Sequence, residues 1–113
     1  MAAPADLDFC YLTTVGRTSG EPHRIEIWFA LHEGTVYLLS GGGERSDWVR
    51  NLKAHPEVDL EIGGHVRHTR ARVLDPGTPE DTTARRLLLE KYATGRDLDE
   101  WGRTSLPVAI DWA

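Results

Sequence analysis

Two short segments carry residues whose types and spacing suit an anionic ligand. The first is Leu39-Ser40-Gly41-Gly42-Gly43-Glu44-Arg45-Ser46-Asp47-Trp48. Its three glycines let the backbone approach a ligand without side-chain obstruction. Ser40 and Ser46 add hydroxyls and Arg45 adds a cation. A helix beginning at about Asp47 would aim its unpaired N–H groups and the positive end of its dipole at the loop. A strand, a glycine loop and a helix N-terminus together suit a phosphate. The same run also reads as a flexible strand-to-helix linker. It is not a Walker loop, because no Gly-Lys-Ser/Thr follows. Nor is it a dinucleotide fingerprint, which needs Gly-x-Gly-x-x-Gly in a parallel β-α-β setting. The second segment is Arg17-Thr18-Ser19-Gly20, with Arg24 soon after. Two arginines and a serine around a glycine turn can grip a carboxylate or phosphate. An ordinary polar hairpin tip has the same composition.

Other residues that do chemistry elsewhere are less informative here. Arg24, Glu26 and Trp28 alternate along one extended run, so they point the same way. Trp28 in that setting either packs an interface or stacks on a ring. His65 and His68 are three apart on a strand-like run and project to opposite faces, so they cannot share a metal. His68, Arg70 and Arg72 share a face that reads as solvated. Asp97, Asp99 and Glu100 read as a charged helix surface. Cys10 is the single cysteine and sits in an apolar run, which excludes an intrachain disulfide and points to a buried thiol. The formal net charge is −5 over 113 residues. No basic field exists to attract a nucleic-acid backbone. An anionic ligand must therefore be met by locally concentrated cations, which makes the positions of the arginines informative.

The elements that must place these residues follow from periodicity. One domain is expected from the length, with residues 1–7 as a loose arm. Residues 9–14 read as a strand, ended by Gly16 and a turn-rich link through Pro22. Residues 23–31 give the clearest strand, with Ile25, Ile27, Phe29 and Leu31 on one face. His32-Glu33-Gly34 is a tight turn before a strand over 35–40. Ser46 is placed to cap a helix over 47–54, which Pro56 stops. Residues 58–62 and 66–74 form a hairpin across Gly63-Gly64. Thr78-Pro79-Glu80-Asp81 opens a second helix with a capping residue, proline at the first position, and a carboxylate that can reach back. A short turn at 98–101 and a strand over 106–111 close the chain. The order β-β-β-α-β-β-α-β, six short strands mostly joined as hairpins, favours a mainly β, six-stranded closed or split barrel with flanking helices. No signal peptide or membrane span is visible, so a cytoplasmic location is expected.

These segments carry a family resemblance. Thr13-Thr14-Val15-Gly16-Arg17-Thr18-Ser19-Gly20-Glu21-Pro22 resembles the "TTxGRxSGxP" opening of the deazaflavin-dependent nitroreductase and quinone reductase family. Ser40-Gly41-Gly42-Gly43 followed by Trp48-Val49-Arg50-Asn51-Leu52-Lys53-Ala54-His55-Pro56 resembles that family's second motif, and Leu106-Pro107-Val108 its last strand. The family belongs to the flavin/deazaflavin oxidoreductases, which share a split β-barrel with the pyridoxamine phosphate oxidases.

The resemblance implies a split-barrel homodimer that uses reduced coenzyme F420, a deazaflavin, to pass a hydride to an activated double bond, quinone or similar small acceptor. It implies that Ser40, Gly41, Gly42, Gly43 and Ser46 hold the cofactor's phosphate side. Arg17, Ser19, Gly20 and Arg24 would then line its polar tail, and Trp48 and Asn51 would touch the cofactor or buttress its loop. Many relatives carry a lysine where this chain has Gly41, which makes Arg45 the substitute cation. Relatives with several tyrosines near the acceptor are matched here by Tyr92 alone, with Gly95 and Leu98 in the other places. Tyr92, Ser40 or water are the proton sources left open. Two alternatives stay open on the same barrel: an FMN-dependent oxidoreductase, and a non-catalytic protein for a flavin-like or tetrapyrrole ligand. A dimer is expected because Trp28, on the mixed face of its strand, needs cover.

Overall fold

The structure is a computed structural model and describes residues 3–112. Seven strands form one antiparallel sheet: β1 (Cys10–Val15), β2 (Pro22–Ile27), β3 (Ala30–His32), β4 (Thr35–Ser40), β5 (Glu57–Ile62), β6 (His65–Val73) and β7 (Leu106–Asp111). Their spatial order is β2-β1-β5-β6-β7-β4-β3. Strand β6 turns the corner of this curled sheet. Its first part pairs with β5, from His65 opposite Ile62 to Arg70 opposite Glu57. Its last three residues pair with β7. Three helices, α1 (Asp47–Ala54), α2 (Pro79–Tyr92) and α3 (Asp99–Thr104), complete the chain.

Among the described residues the strand count is seven rather than the expected six, because the run over 23–31 breaks at Trp28-Phe29. The break has a local cause. The Phe29 N–H donates to the Tyr92 hydroxyl (3.0 Å), and the Phe29 carbonyl accepts from Lys91 Nζ (2.9 Å) and from Tyr92 Oη (2.9 Å). Backbone groups satisfied by side chains leave the ladder without an orphan. The chain then passes from the β1–β2 pair to the β3–β4 pair, and Phe29 is fully buried at the crossing. Alternation fails there too. Ile25 and Ile27 pack on one core cluster, whereas Trp28 joins a second cluster beneath α2.

Trp28 is covered within its own chain. Its ring stacks on Tyr92 at 4.4 Å and meets Trp101 edge-on at 5.5 Å. The expectation that Trp28 requires a partner subunit is corrected by this packing. The N-terminal segment is also better fastened than a loose arm. Pro4–Asp6 forms a 3-10 turn, Leu7 packs on the core, and the Leu7 carbonyl accepts from Lys91 Nζ at 2.6 Å. Residues 1 and 2 of that arm lie outside the described residues.

The helix starts follow the sequence. Thr78 accepts from the Asp81 N–H (3.2 Å), and Asp81 reaches back to the Gly77 N–H (2.8 Å). Asp81 also holds Arg85 at 2.7 Å, and Arg85 donates to the Gly102 and Arg103 carbonyls, tying α2 to α3. The expected turn at 98–101 is thus extended into a helix, because α2 supplies a donor for the helix's last carbonyls. Arg72 is not a free solvated cation: it makes a two-pronged pair with Glu80 (2.6 and 2.7 Å), which also accepts from Tyr37 Oη.

Candidate functional site

The first residue to follow is Asn51. It lies one turn into α1, is 4% exposed, and joins two elements far apart in sequence. Its Oδ1 accepts from the Arg17 backbone N–H (3.1 Å) and from Arg17 Nη1 (2.9 Å). Its Nδ2 donates to Thr14 Oγ1 (3.3 Å) on β1. A single buried amide therefore fixes both the backbone and the guanidinium of Arg17, and leaves other Arg17 N–H groups able to donate. Arg17 Nη2 also lies 3.4 Å from Asp47, whose side chain is largely exposed, so that contact adds little energy.

The loop between β1 and β2 is compact. The Gly16 N–H donates to the Glu21 carbonyl, the Gly20 N–H donates to the Gly16 carbonyl, and Ser19 Oγ accepts from the Glu21 N–H. Gly16 lets two side chains close over the turn: a Cβ there would stand 2.5 Å from Ser19 Oγ and 2.8 Å from His23 Nε2, and both side-chain ends would have to move. Gly20 adopts φ 74°, where glycine carries no Cβ penalty. Arg24 lies over the Tyr11 ring at 4.3 Å and reaches Glu61 at 3.4 Å.

A cleft of about 560 Å³ opens between this loop, β2 and the start of α1. Arg17, Ser19, Arg24, Trp48 and Asn51 all line it, so five residues expected at the site from distant parts of the chain converge there. His23, Thr18 and Asp47 line it as well. His23 and Asp47 carried no expectation of a site role. His23 was hidden by simple alternation with Arg24; the tight Gly16 turn beside it is the signal that would have placed it. Two guanidiniums, an imidazole, the hydroxyls of Thr14, Thr18 and Ser19, and one exposed carboxylate line this cleft. That donor set fits an anion.

The glycine loop lies apart from this cleft. Ser40 is buried; its hydroxyl donates to the Gly43 carbonyl (3.0 Å) and bonds Ser46 Oγ (2.8 Å). Ser46 occupies the N-cap position of α1 with extended backbone, but its hydroxyl is engaged by Ser40 rather than by a helix N–H. A Cβ on Gly42 would stand 2.5 Å from Ser46 Oγ. Gly43 has φ 61° and opens a 3-10 turn, Gly43–Arg45. Arg45 is exposed at the end of that turn. Gly41 faces the other way, with Trp101 Cδ1 3.5 Å from where its Cβ would be. Tyr92 is also elsewhere. Its hydroxyl donates to the Asp8 and Phe29 carbonyls, and burial pushes its pKa up to about 12. Cys10 is buried in the core, and burial pushes its thiol up to about 12.

The profile of the F420H(2)-dependent quinone reductases matches residues 4–112, nearly the entire chain. The chain belongs to that family. An F420H(2)-dependent quinone reductase of Mycobacterium tuberculosis is 29% identical over 103 residues, covering 88% of this chain and 68% of that protein. A solved F420-H2 dependent reductase superposes with a TM-score of 0.75 at 23% identity, covering 92% of this chain and 93% of that one. A solved domain-swapped dimer superposes with a TM-score of 0.74 at 24% identity, covering 92% and 79%. At those identities the two structures establish the mainly β, helix-flanked fold. Among the described residues, no helix of this quinone reductase family member is long and apolar enough to cross a membrane.

Proposed function

We propose that this chain is a reductase that uses reduced coenzyme F420 to transfer a hydride to a quinone or similar activated acceptor. The whole-length match to the F420H(2)-dependent quinone reductases carries the activity. The cleft at Arg17, Arg24 and Asn51 carries the proposal for where the anionic side of the cofactor is held. Its donors meet the chemical requirement of a phosphate-bearing tail: planar guanidiniums that pair with two oxygens, and hydroxyls beside them. Trp48 adds a half-buried aromatic wall at the same cleft. When bound, the reduced deazaflavin supplies a hydride.

The protein's own residues then have limited tasks. Arg17 and Arg24 neutralise and orient the anionic end. Asn51 holds Arg17 in place before the ligand arrives, which lowers the ordering cost of binding. A quinone reduced there would take one further proton to leave as hydroquinone. Water is the proton source we assign, because the Tyr92 hydroxyl bonds backbone carbonyls and the Ser40 hydroxyl bonds its own loop. We further take the curled sheet to be half of a split barrel completed by a second copy. Val66 and Val15, both exposed on β6 and β1, support a partner on that face. A fluorescence titration of the purified protein with oxidised F420 and separately with FMN tests the cofactor. Saturable quenching by F420 well below the FMN range is the expected result. Tight FMN binding with no response to F420 would replace this function with that of an FMN enzyme.

A further inference from the structure

His23 lines the anion cleft together with Arg17 and Ser19. On β2 it pairs with Thr14 of β1, so the two side chains share a face of the sheet. That face is the α1 side: Thr14 Oγ1 accepts from Asn51 Nδ2, and Asn51 in turn holds Arg17. The bare Gly16 lets the imidazole come in over the turn. His23 Nε2 lies 2.8 Å, and Ser19 Oγ 2.5 Å, from the point where a Cβ on Gly16 would stand. Ser19 Oγ accepts from the Glu21 N–H, which leaves its own O–H to donate outward. His23 is exposed, and its imidazole makes no hydrogen bond or ion pair among the described residues. Arg24, the next residue, turns its guanidinium over Tyr11 and toward Glu61. An uncommitted imidazole thus stands on the same side as the guanidinium that Asn51 fixes in advance.

Building on the proposed F420-dependent reduction, we infer that His23 is a further residue of the anion grip: its protonated imidazole joins Arg17 and Ser19 on the cofactor's anionic group, and cofactor affinity rises as pH falls through the histidine range. Histidine is the side chain that ordinarily changes charge between pH 5 and 8, whereas guanidiniums and carboxylates ordinarily keep theirs. The charged groups lining the cleft with His23 are Arg17 from the β1–β2 loop, Arg24 from its own strand and Asp47 from α1. Strand β1 presents the uncharged Thr14, and Glu21 of the loop is exposed outside the lining. None of the other four histidines lines this cleft. A bound anion favours the charged imidazole, and by linkage the proton strengthens anion binding by the same factor. The imidazole is open to water, which holds that factor to roughly five-fold.

Fluorescence titrations with oxidised F420 at pH 8.0 and pH 5.5, on the parent, His23→Gln and His23→Lys, read this coupling. Any titration of the cofactor itself is common to all three proteins and cancels between them. From pH 8.0 to pH 5.5 the parent should gain roughly five-fold in affinity relative to His23→Gln, and at pH 8.0 the two should agree within about two-fold. His23→Lys, charged throughout, should exceed His23→Gln by about the same five-fold factor at both pH values. The gain should vanish near 1 M salt, where the Debye length is about 3 Å. An equal pH response in the parent and His23→Gln, with both binding F420, would overturn the role of His23 and leave the proposed function standing. Sulfate is a probe independent of the cofactor. In NMR it should shift the His23 ring C–H signals saturably at pH 5.5 and weakly at pH 8.0. No sulfate shift at either pH would overturn the inference whatever F420 does. A parent that binds no F420 yet shows the sulfate response would strike the proposed function and keep His23 in an anion grip.

Discussion

Removing Arg17 and removing Asn51 should have different consequences. In Arg17→Ala the backbone N–H at position 17 still donates to Asn51 Oδ1, so the loop keeps its anchor. What is lost is one side-chain bond of 2.9 Å and a weak contact to the exposed Asp47. The stability cost should be about 1 kcal/mol or less. The charge-assisted bonds to an anion, at about 1.5–3 kcal/mol each, are lost in full. The F420 dissociation constant should therefore rise roughly ten- to hundred-fold. Asn51→Ala removes the hub. The Arg17 N–H and the fully buried Thr14 hydroxyl lose their partner together. Lost bonds and orphaned groups of this kind sum to roughly 2–4 kcal/mol. At about 4 °C per kcal/mol the melting temperature should fall by roughly 10 °C. Binding should weaken as well, since Arg17 is no longer held. Thermal melts and fluorescence titrations on both variants give the four values needed. If Arg17→Ala binds F420 as tightly as the parent, the cleft does not hold the anion. Equal melting temperatures for Asn51→Ala and the parent would refute the hub.

Other outcomes follow from the same structure. Tyr92→Phe should lose about 1–3 kcal/mol by orphaning the buried Phe29 N–H, yet keep turnover, because the hydroxyl is not the proton source; a large fall in kcat with an unchanged melt would contradict this. Stability should fall as pH rises above about 9: the native Cys10 and Tyr92 pKa values are raised to about 12, so between the unfolded and native values the unfolded state sheds protons that the native state keeps. Denaturant melts in that range should show a decline, and a flat profile would contradict burial of the two groups. The native Cys10 thiol should resist alkylation at pH 8 and react in urea, as mass spectrometry can show. Light scattering should give a dimer at micromolar concentration, with Val66→Glu shifting it toward monomer; a parent that stays monomeric removes the barrel-completing partner.

Much of the fold was legible because its signals are local. Thr78 and Pro79 mark the start of α2, Pro56 ends α1, and Glu33-Gly34 turns β3 into β4 at positive φ. The break at Trp28-Phe29 was not legible, since Lys91 and Tyr92 make it from more than sixty positions away. Alternation along 23–31 predicts one strand and carries no trace of a distant donor. The site divides the same way. Arg17, Ser19 and Arg24 announced an anion grip in their own segment, and the structure brings them together with Trp48 and Asn51. That Asn51 is the hub, that His23 joins the cleft, and that Ser40 and Ser46 bond each other depend on side-chain directions that spacing does not give.

Hydride transfer itself is the central claim, and anaerobic turnover of reduced F420 with a neutral quinone measures it. Return of the oxidised cofactor's absorbance should depend on enzyme concentration, match the quinone consumed one for one, and saturate in both reactants. Arg17→Ala should raise the KM for the cofactor with a smaller change in that for the quinone. A rate no greater than in the absence of protein, with the parent folded and the cofactor bound, would contradict the assigned activity.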